Sequence, residues 1–338
     1  MGIRNAPDFD RGVVAFGGNA IAQGRDLFSQ DAVTYAMGPT LDLFKDRGLA
    51  IVHGNGPQVG AIRREVADSG ERMSHADVTL ATQDRIGGLF MEAMRGCDRA
   101  HEIHYTRVIV DPEDPTFSSP VKGIGEWEVG RQRFDGLNVS CVQSPRDTRL
   151  YREAVASPAS IGIVDEEKIQ KLVNDGCVLV CGGGGGIPVF ASFNASHTGD
   201  EGSDGYDEAA GRIWTASDYS EVAQTVVVDK DGVAYLIGKG VGAQVMLILT
   251  DVDGFYEGYG TDNSSLVCSM TSDEVRQRIE SNANGGGSMN PKLAAAAAFA
   301  ASDSSRVAVI SSLNNMPNLA QGNWDKATFV RDSNLLAF

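Results

Sequence analysis

Three glycine-rich turns and a handful of lysines are the parts of this 338-residue chain whose types and spacing could do chemistry. The turns are Gly17-Gly18-Asn19 after the apolar run GVVAF, the pair Gly54 and Gly56 within IVHGNGPQVG, and the run Gly182 to Gly186. Gly54 and Gly56 lack a Cβ, so the backbone there can take unusual angles and offer its N–H groups to a ligand. A helix starting near Pro57 would bring the positive end of its dipole to the same place. One such turn by itself reads as a tight strand-to-helix joint. Three of them, each after an apolar run, read as a site for an anion.

A phosphate-bearing anion needs local positive charge, because the chain as a whole carries a net charge of -16. Only eight of the 29 basic residues are lysines, so a lysine beside a glycine turn stands out. Lys292 is one. It follows Gly285-Gly286-Gly287-Ser288, with Asn290 suited to cap and Pro291 to the first position of an alanine-rich helix. A lysine in a first helical turn opposes the helix dipole, unless lysine and free N–H groups share one anion. A short strand expected at Thr225 to Asp229 runs into a further lysine, within Asp229-Lys230-Asp231.

Other chemistries are poorly represented. There is no GxxxxGK[ST] phosphate loop and no GxSxG nucleophile elbow. Gly182 to Gly186 has the glycines of a dinucleotide fingerprint but is followed by Ile-Pro-Val, against that reading. His101 and His104 lack a third ligand and read as ordinary histidines in a helix-to-strand joint, so no metal residues are assigned. Five scattered cysteines, an odd number, read as reduced thiols. The acidic balance argues against nucleic acid and anionic membranes, and no apolar run is long enough to span a bilayer. Without a secretion-type leader, the expected location is the cytoplasm.

The elements that must position these residues follow an α/β rhythm. Gly12 to Phe16 and Gly48 to His53 read as strands flanking a helix from about Leu27 to Arg47, divided or kinked at Pro39. That βαβ unit places the first two glycine turns at the C-terminal ends of neighbouring parallel strands, where open α/β sheets bind ligands. Further helices are expected through about Arg64, over Thr79 to Arg95, over Asp165 to Asp175, and over Ser272 to Glu280 with Ser272 as cap. Further strands are expected at Val108 to Val110, Cys177 to Cys181, Thr225 to Asp229, Gln244 to Leu249 and Arg306 to Ser311. Between Asp111 and Pro158 the chain turns rich in Pro, Gly and charge, an excursion from the sheet. The stretch 191–221 is polar and acidic and reads as a surface insertion peripheral to the chemistry.

In order along nearly the whole chain, VVAFGGNAI, HGNGPQVG, VDP…PVKGIG, ASP, CGGGGGIPV, VDKD, ILTDVD and GSMNPK resemble the carbamate kinases. HGNGPQVG, GGGGIPV and GSMxPK in combination are specific to that family. The resemblance implies a single domain over 1–338 of the amino acid kinase type, a three-layer αβα fold with an open, mainly parallel sheet. A small protruding lid would occupy 111–158. It also implies a homodimer that transfers phosphate reversibly between carbamoyl phosphate and ADP, with Mg²⁺ accompanying the nucleotide (ATP or ADP).

By the same resemblance, Gly17, Gly18, Asn19, Gly54, Asn55 and Gly56 would hold the transferred phosphoryl group. Lys230 and Lys292 would neutralise its charge, Asp231 would orient them, and Lys122 would reach in from the excursion. Thr250, Val252 and Met289 would lie on the nucleotide side. A related acid kinase acting on another small carboxylate or carbamate, or a non-catalytic nucleotide-binding paralogue, shares these expectations, since fold alone does not select a substrate. One departure stands out: Gly232-Val233-Ala234 follows the DKD, and Gly238, Gly240 and Gly242 are expected to weaken the helix beyond it.

Overall fold

The computed structural model describes residues 7–18, 21–22, 26–70, 73–125, 127–135, 139–144, 147–182, 186–191, 206–207, 212–213, 219–222, 224–281 and 289–333. Among them, eight strands form one sheet in the spatial order Ser269–Thr271, Thr328–Arg331, Val307–Ser312, Val245–Thr250, Arg11–Phe16, Gly48–His53, Val178–Cys181, His101–His104. Neighbours run parallel except for Val307–Ser312 against Thr328–Arg331. Residues in the central strands alternate between two cores. Val13 and Ala15 enter one cluster while Val14 and Phe16 enter the other. Burial on both faces is the reason these strands read as unbroken apolar runs.

The helices are α1 (Gln30–Leu43), α2 (Gly56–Ser69), α3 (His75–Ala93), α4 (Glu166–Asn174), α5 (Lys230–Gly240), α6 (Ser272–Glu280), α7 (Met289–Ala301) and α8 (Met316–Ala320). Met37 of α1, Phe90 of α3 and Leu319 of α8 pack on one face of the sheet. Ile169 of α4, Ile237 of α5, Val275 of α6 and Phe299 of α7 pack on the other. The three-layer αβα arrangement with an open, mainly parallel sheet is therefore present.

Several local expectations are corrected. Helix α1 is not divided at Pro39: it runs on to Leu43, where the cap Phe44 N–H donates to Thr40 C=O. His101–His104 is an edge strand rather than a joint. Thr225 to Asp229 makes only a single bridge, Val226 to Ala156, instead of a strand. The cap of α6 is Thr271, in a reciprocal box with Glu274, and Ser272 is the first helical residue. Helix α7 begins at Met289, so Asn290 and Pro291 lie inside its first turn. Thr328–Arg331 is an additional strand, too short at four residues to show a periodic pattern, and runs antiparallel to Val307–Ser312.

The glycines of α5 do not prevent that helix. A β-carbon at Gly238 would come within 2.8 Å of Val13 Cγ1 and 3.0 Å of Phe299 Cε2, and one at Gly240 within 2.3 Å of Glu166 Oε1. They let α5 lie close to the sheet, α7 and α4. Tertiary packing outweighs the roughly 1 kcal/mol that a helical glycine costs.

Among the described residues, two four-stranded sheets stand apart from the main one. Tyr219–Glu221, Ile187–Ala191, Arg107–Val110 and Ser160–Ile163 form the first. In the second, Leu150–Val155 pairs antiparallel with Lys122–Gly123, Glu128–Val129 and Ser140–Gln143. Most of the acidic stretch 191–221 lies outside the described residues.

Candidate active site

The strands Arg11–Phe16 and Gly48–His53 pair in register from Arg11 with Gly48 to Phe16 with His53, so their glycine turns emerge side by side. Gly54 N–H donates to Phe16 C=O at 2.8 Å. A β-carbon on Gly54 would approach Gly18 N to 3.0 Å, and one on Gly18 would approach Pro57 Cδ to 3.0 Å. The turns touch because neither has a side chain. Asn55 C=O accepts from Val59 N–H at 2.8 Å, which starts α2 and leaves the N–H of Gly56 at the helix's positive end.

Lys230 is the first residue of α5, and Asp229 caps that helix by accepting from Asp231 N–H at 2.9 Å. The Lys230 side chain crosses to the glycine turns. Its Cδ lies 3.0 Å from where a Gly54 β-carbon would be, and its Cε 4.0 Å from the equivalent point at Gly17. Lys230 Nζ bonds one oxygen of Asp231, and Lys292 Nζ, from the first turn of α7, bonds the other at 3.2 Å. Asp231 is 1% exposed. One buried carboxylate between two ammonium groups leaves a net positive charge beside the turns.

Burial pushes the Lys230 ammonium below the ordinary lysine range, opposed by Asp231 and reinforced by Lys292. Lys122, from the small antiparallel sheet, reaches Asp229 at 2.8 Å. For Asp229, burial works to raise the carboxyl. Lys122, Lys230 and the Asp231 amide together overcome that and hold it well below the usual carboxylate range.

The structure thus brings together Gly17, Gly18, Gly54, Asn55, Gly56, Lys230, Asp231 and Lys292, with Lys122 joined through Asp229. Asn19 lies outside the described residues, as do the glycines 183–185. Val252 lines a cavity of about 400 Å³ with Asp253, Tyr256, Ser312, Asn315 and Lys326. Thr250 ends the strand that leads into it, beside Ser312. Met289 opens α7, packs against the apolar core, and is not among the cavity's lining residues.

Sequence reasoning passed over Asp229, although an Asp directly before a helix is a capping signal. It also passed over Gln58, whose amide donates to Gly18 C=O and Leu27 C=O at 3.3 and 2.7 Å. Thr82 was missed as well. Its hydroxyl donates to Thr79 C=O and accepts from Asn55 Nδ2 at 2.7 Å, which fixes the Asn55 amide. No local signal marks Gln58 or Thr82, since their partners are distant in the chain.

Backbone N–H groups, a helix N-terminus and lysines converging at the C-terminal edge of a parallel sheet define a phosphate-handling α/β protein. The amino acid kinase family model matches residues 208–311. Carbamate kinase of Halobacterium salinarum is 32% identical over 88% of this chain and 91% of its own length. That of Trichomonas vaginalis is 33% identical, over 85% and 89%. Carbamate kinase from Giardia lamblia bound to AMP-PNP shares the fold at a TM-score of 0.74 and 23% identity, covering 95% of this chain and 98% of that one. The chain belongs to the carbamate kinase family.

Proposed function

We propose that this protein transfers a phosphoryl group reversibly between carbamoyl phosphate and ADP, giving ATP and carbamate, which breaks down to ammonia and carbon dioxide. The observation that carries the reading is the pair Lys230 and Lys292 on the two oxygens of buried Asp231, with Lys230 lying over both glycine turns. A β-phosphate oxygen of ADP attacks phosphorus, the bond to the carbamoyl oxygen breaks, and that oxygen keeps the electron pair. No protein nucleophile is needed. Alignment and charge neutralisation carry most of such a transfer.

Gly17, Gly18, Asn19, Gly54, Asn55 and Gly56 hold the moving phosphoryl group in this reading. Lys230 and Lys292 offset charge on it as the bond breaks, and Asp231 keeps the two ammonium groups apart and aimed. Lys122 approaches from the 111–158 excursion, which acts as a lid. Thr250, Val252 and Met289 stand on the nucleotide side, with the cavity at Val252 as the nucleotide's place. The working unit is a homodimer in the cytoplasm.

No three His, Cys, Asp or Glu side chains among the described residues converge as a metal site. Asp229 and Asp231 are occupied by lysines, while Asp251 and Asp253 line the cavity. This donor set fits Mg²⁺ held chiefly by nucleotide phosphates and water, with Asp251 and Asp253 to hold the ion or its waters. When bound, the metal supplies further neutralisation of phosphate charge.

ATP formation from carbamoyl phosphate and ADP, with acetyl phosphate as comparison substrate, tests the reading. Turnover should favour carbamoyl phosphate. A preference for acetyl phosphate would point to a related acid kinase, and binding of ADP without turnover to a non-catalytic paralogue.

A further inference from the structure

Asp229 has both carboxylate oxygens committed, and to different parts of the molecule. Oδ1 accepts from Asp231 N–H at 2.9 Å and caps α5, the helix that carries Lys230 and Asp231. Oδ2 accepts from Lys122 Nζ at 2.8 Å, a contact spanning 107 residues between the small antiparallel sheet and the body. The residues just before Asp229 are fastened to the same excursion. Val226 bridges Ala156, Val227 N–H donates to Ala156 C=O at 3.0 Å, and Val227 packs with Ile124 and Val155.

Two further contacts hold the excursion in the same pose. Arg63 of α2 pairs with Glu153 at 3.0 Å. Gly60 of α2 abuts Gly125, so closely that a β-carbon on Gly60 would fall 2.6 Å from Gly125 Cα. The chain 226–231 therefore runs from the docked base of the excursion directly into the lysine–aspartate group. Asp229 bonds both, through Lys122 on one side and the Asp231 amide on the other.

We infer that Asp229 is a positioning residue that couples docking of the 111–158 excursion to the placement of Lys230 and Asp231 at the start of α5. The inference rests on the phosphoryl-transfer reading above. Its ionised carboxylate holds Lys122 through one of the ammonium's three donors and leaves the other two for a substrate anion. Asparagine at this position keeps the cap but loses the charge that holds Lys122, whereas alanine loses both. The two roles are therefore separable.

The test compares Asp229→Asn, Asp229→Ala, Lys122→Met and the double variant Asp229→Asn/Lys122→Met. Asp229→Asn should raise KM for carbamoyl phosphate about tenfold while kcat falls less than threefold. Asp229→Ala should also lower kcat, by about a hundredfold. The double variant should be no worse than Lys122→Met alone within twofold, since the charge acts through that lysine. Multiplying effects, or identical kinetics for the asparagine and alanine variants, would overturn the coupling.

Hydrogen exchange without substrate supplies an independent readout. Amides of 122–124 and 153–156 should exchange faster in Asp229→Asn than in the unsubstituted protein, and equal rates would overturn the inference. A folded, unsubstituted protein that forms no ATP would instead count against the functional reading, leaving exchange to decide the coupling.

Discussion

Gly54 lies directly under Lys230: a β-carbon on the glycine would stand 3.0 Å from the lysine's Cδ and 3.0 Å from Gly18 N. Neither neighbour can retreat freely, since Lys230 is tied to Asp231 and Gly18 belongs to the adjoining turn. Gly54→Ala should therefore displace the ammonium group from the phosphoryl position while the core stays intact. A shift approaching 1 Å costs about a hundredfold in rate. The expected outcome is a drop of that size in kcat/KM, with the thermal midpoint changed by only a few degrees.

Lys292→Ala should leave the fold intact and remove most turnover. Its helix is alanine-rich and does not need the side chain, and Asp231 keeps Lys230 as a partner. Losing one charge-neutralising group should cost on the order of 3 kcal/mol of transition-state stabilisation, about a hundredfold in kcat. Asp231→Ala should behave differently, because it leaves two largely buried ammonium groups facing each other. Its unfolding free energy in denaturant titration should fall by about 3 kcal/mol or more.

His53, at the end of a central strand, is fully buried beside the Phe90 ring. Burial pushes its pKa down to about 3, against a smaller opposing contribution from the Gly54 backbone. Between the ordinary value near 6.5 and 3, the unfolded chain binds the proton and the folded chain does not. Stability must then fall as pH drops through that window and level off below it. The loss is on the order of 5 kcal/mol at most. A His53→Phe variant should unfold at lower pH in an acid titration, relative to its own stability at pH 7.

The excursion at 111–158 should respond to substrate. Lys122 stands where the excursion docks on the body, with Ile124 against Val227 and Gly125 against Gly60, so an anion bound there should tighten that contact. Limited proteolysis with carbamoyl phosphate should protect bonds between Asp111 and Pro158 relative to the free protein. Identical cleavage in both states would mean that the excursion does not close.

The sequence by itself determined the βαβ rhythm, because strands buried on both faces must be apolar throughout and turns at their ends must be small. It also marked Gly17, Gly54 and Lys292, since glycine turns and a lysine in a first helical turn conflict with local preference unless an anion resolves the conflict, whereas Lys230 and Asp231 entered only through the family resemblance. It misjudged α5, where glycines weak in isolation are required by the closeness of Val13, Phe299 and Glu166. Only the tertiary structure decided that Lys230 and Lys292 share one carboxylate, that Asp229 reaches Lys122 across 107 residues, and that Thr82 orients Asn55. Such pairings depend on distances between segments far apart in the chain, and local periodicity and propensity carry no information about those distances.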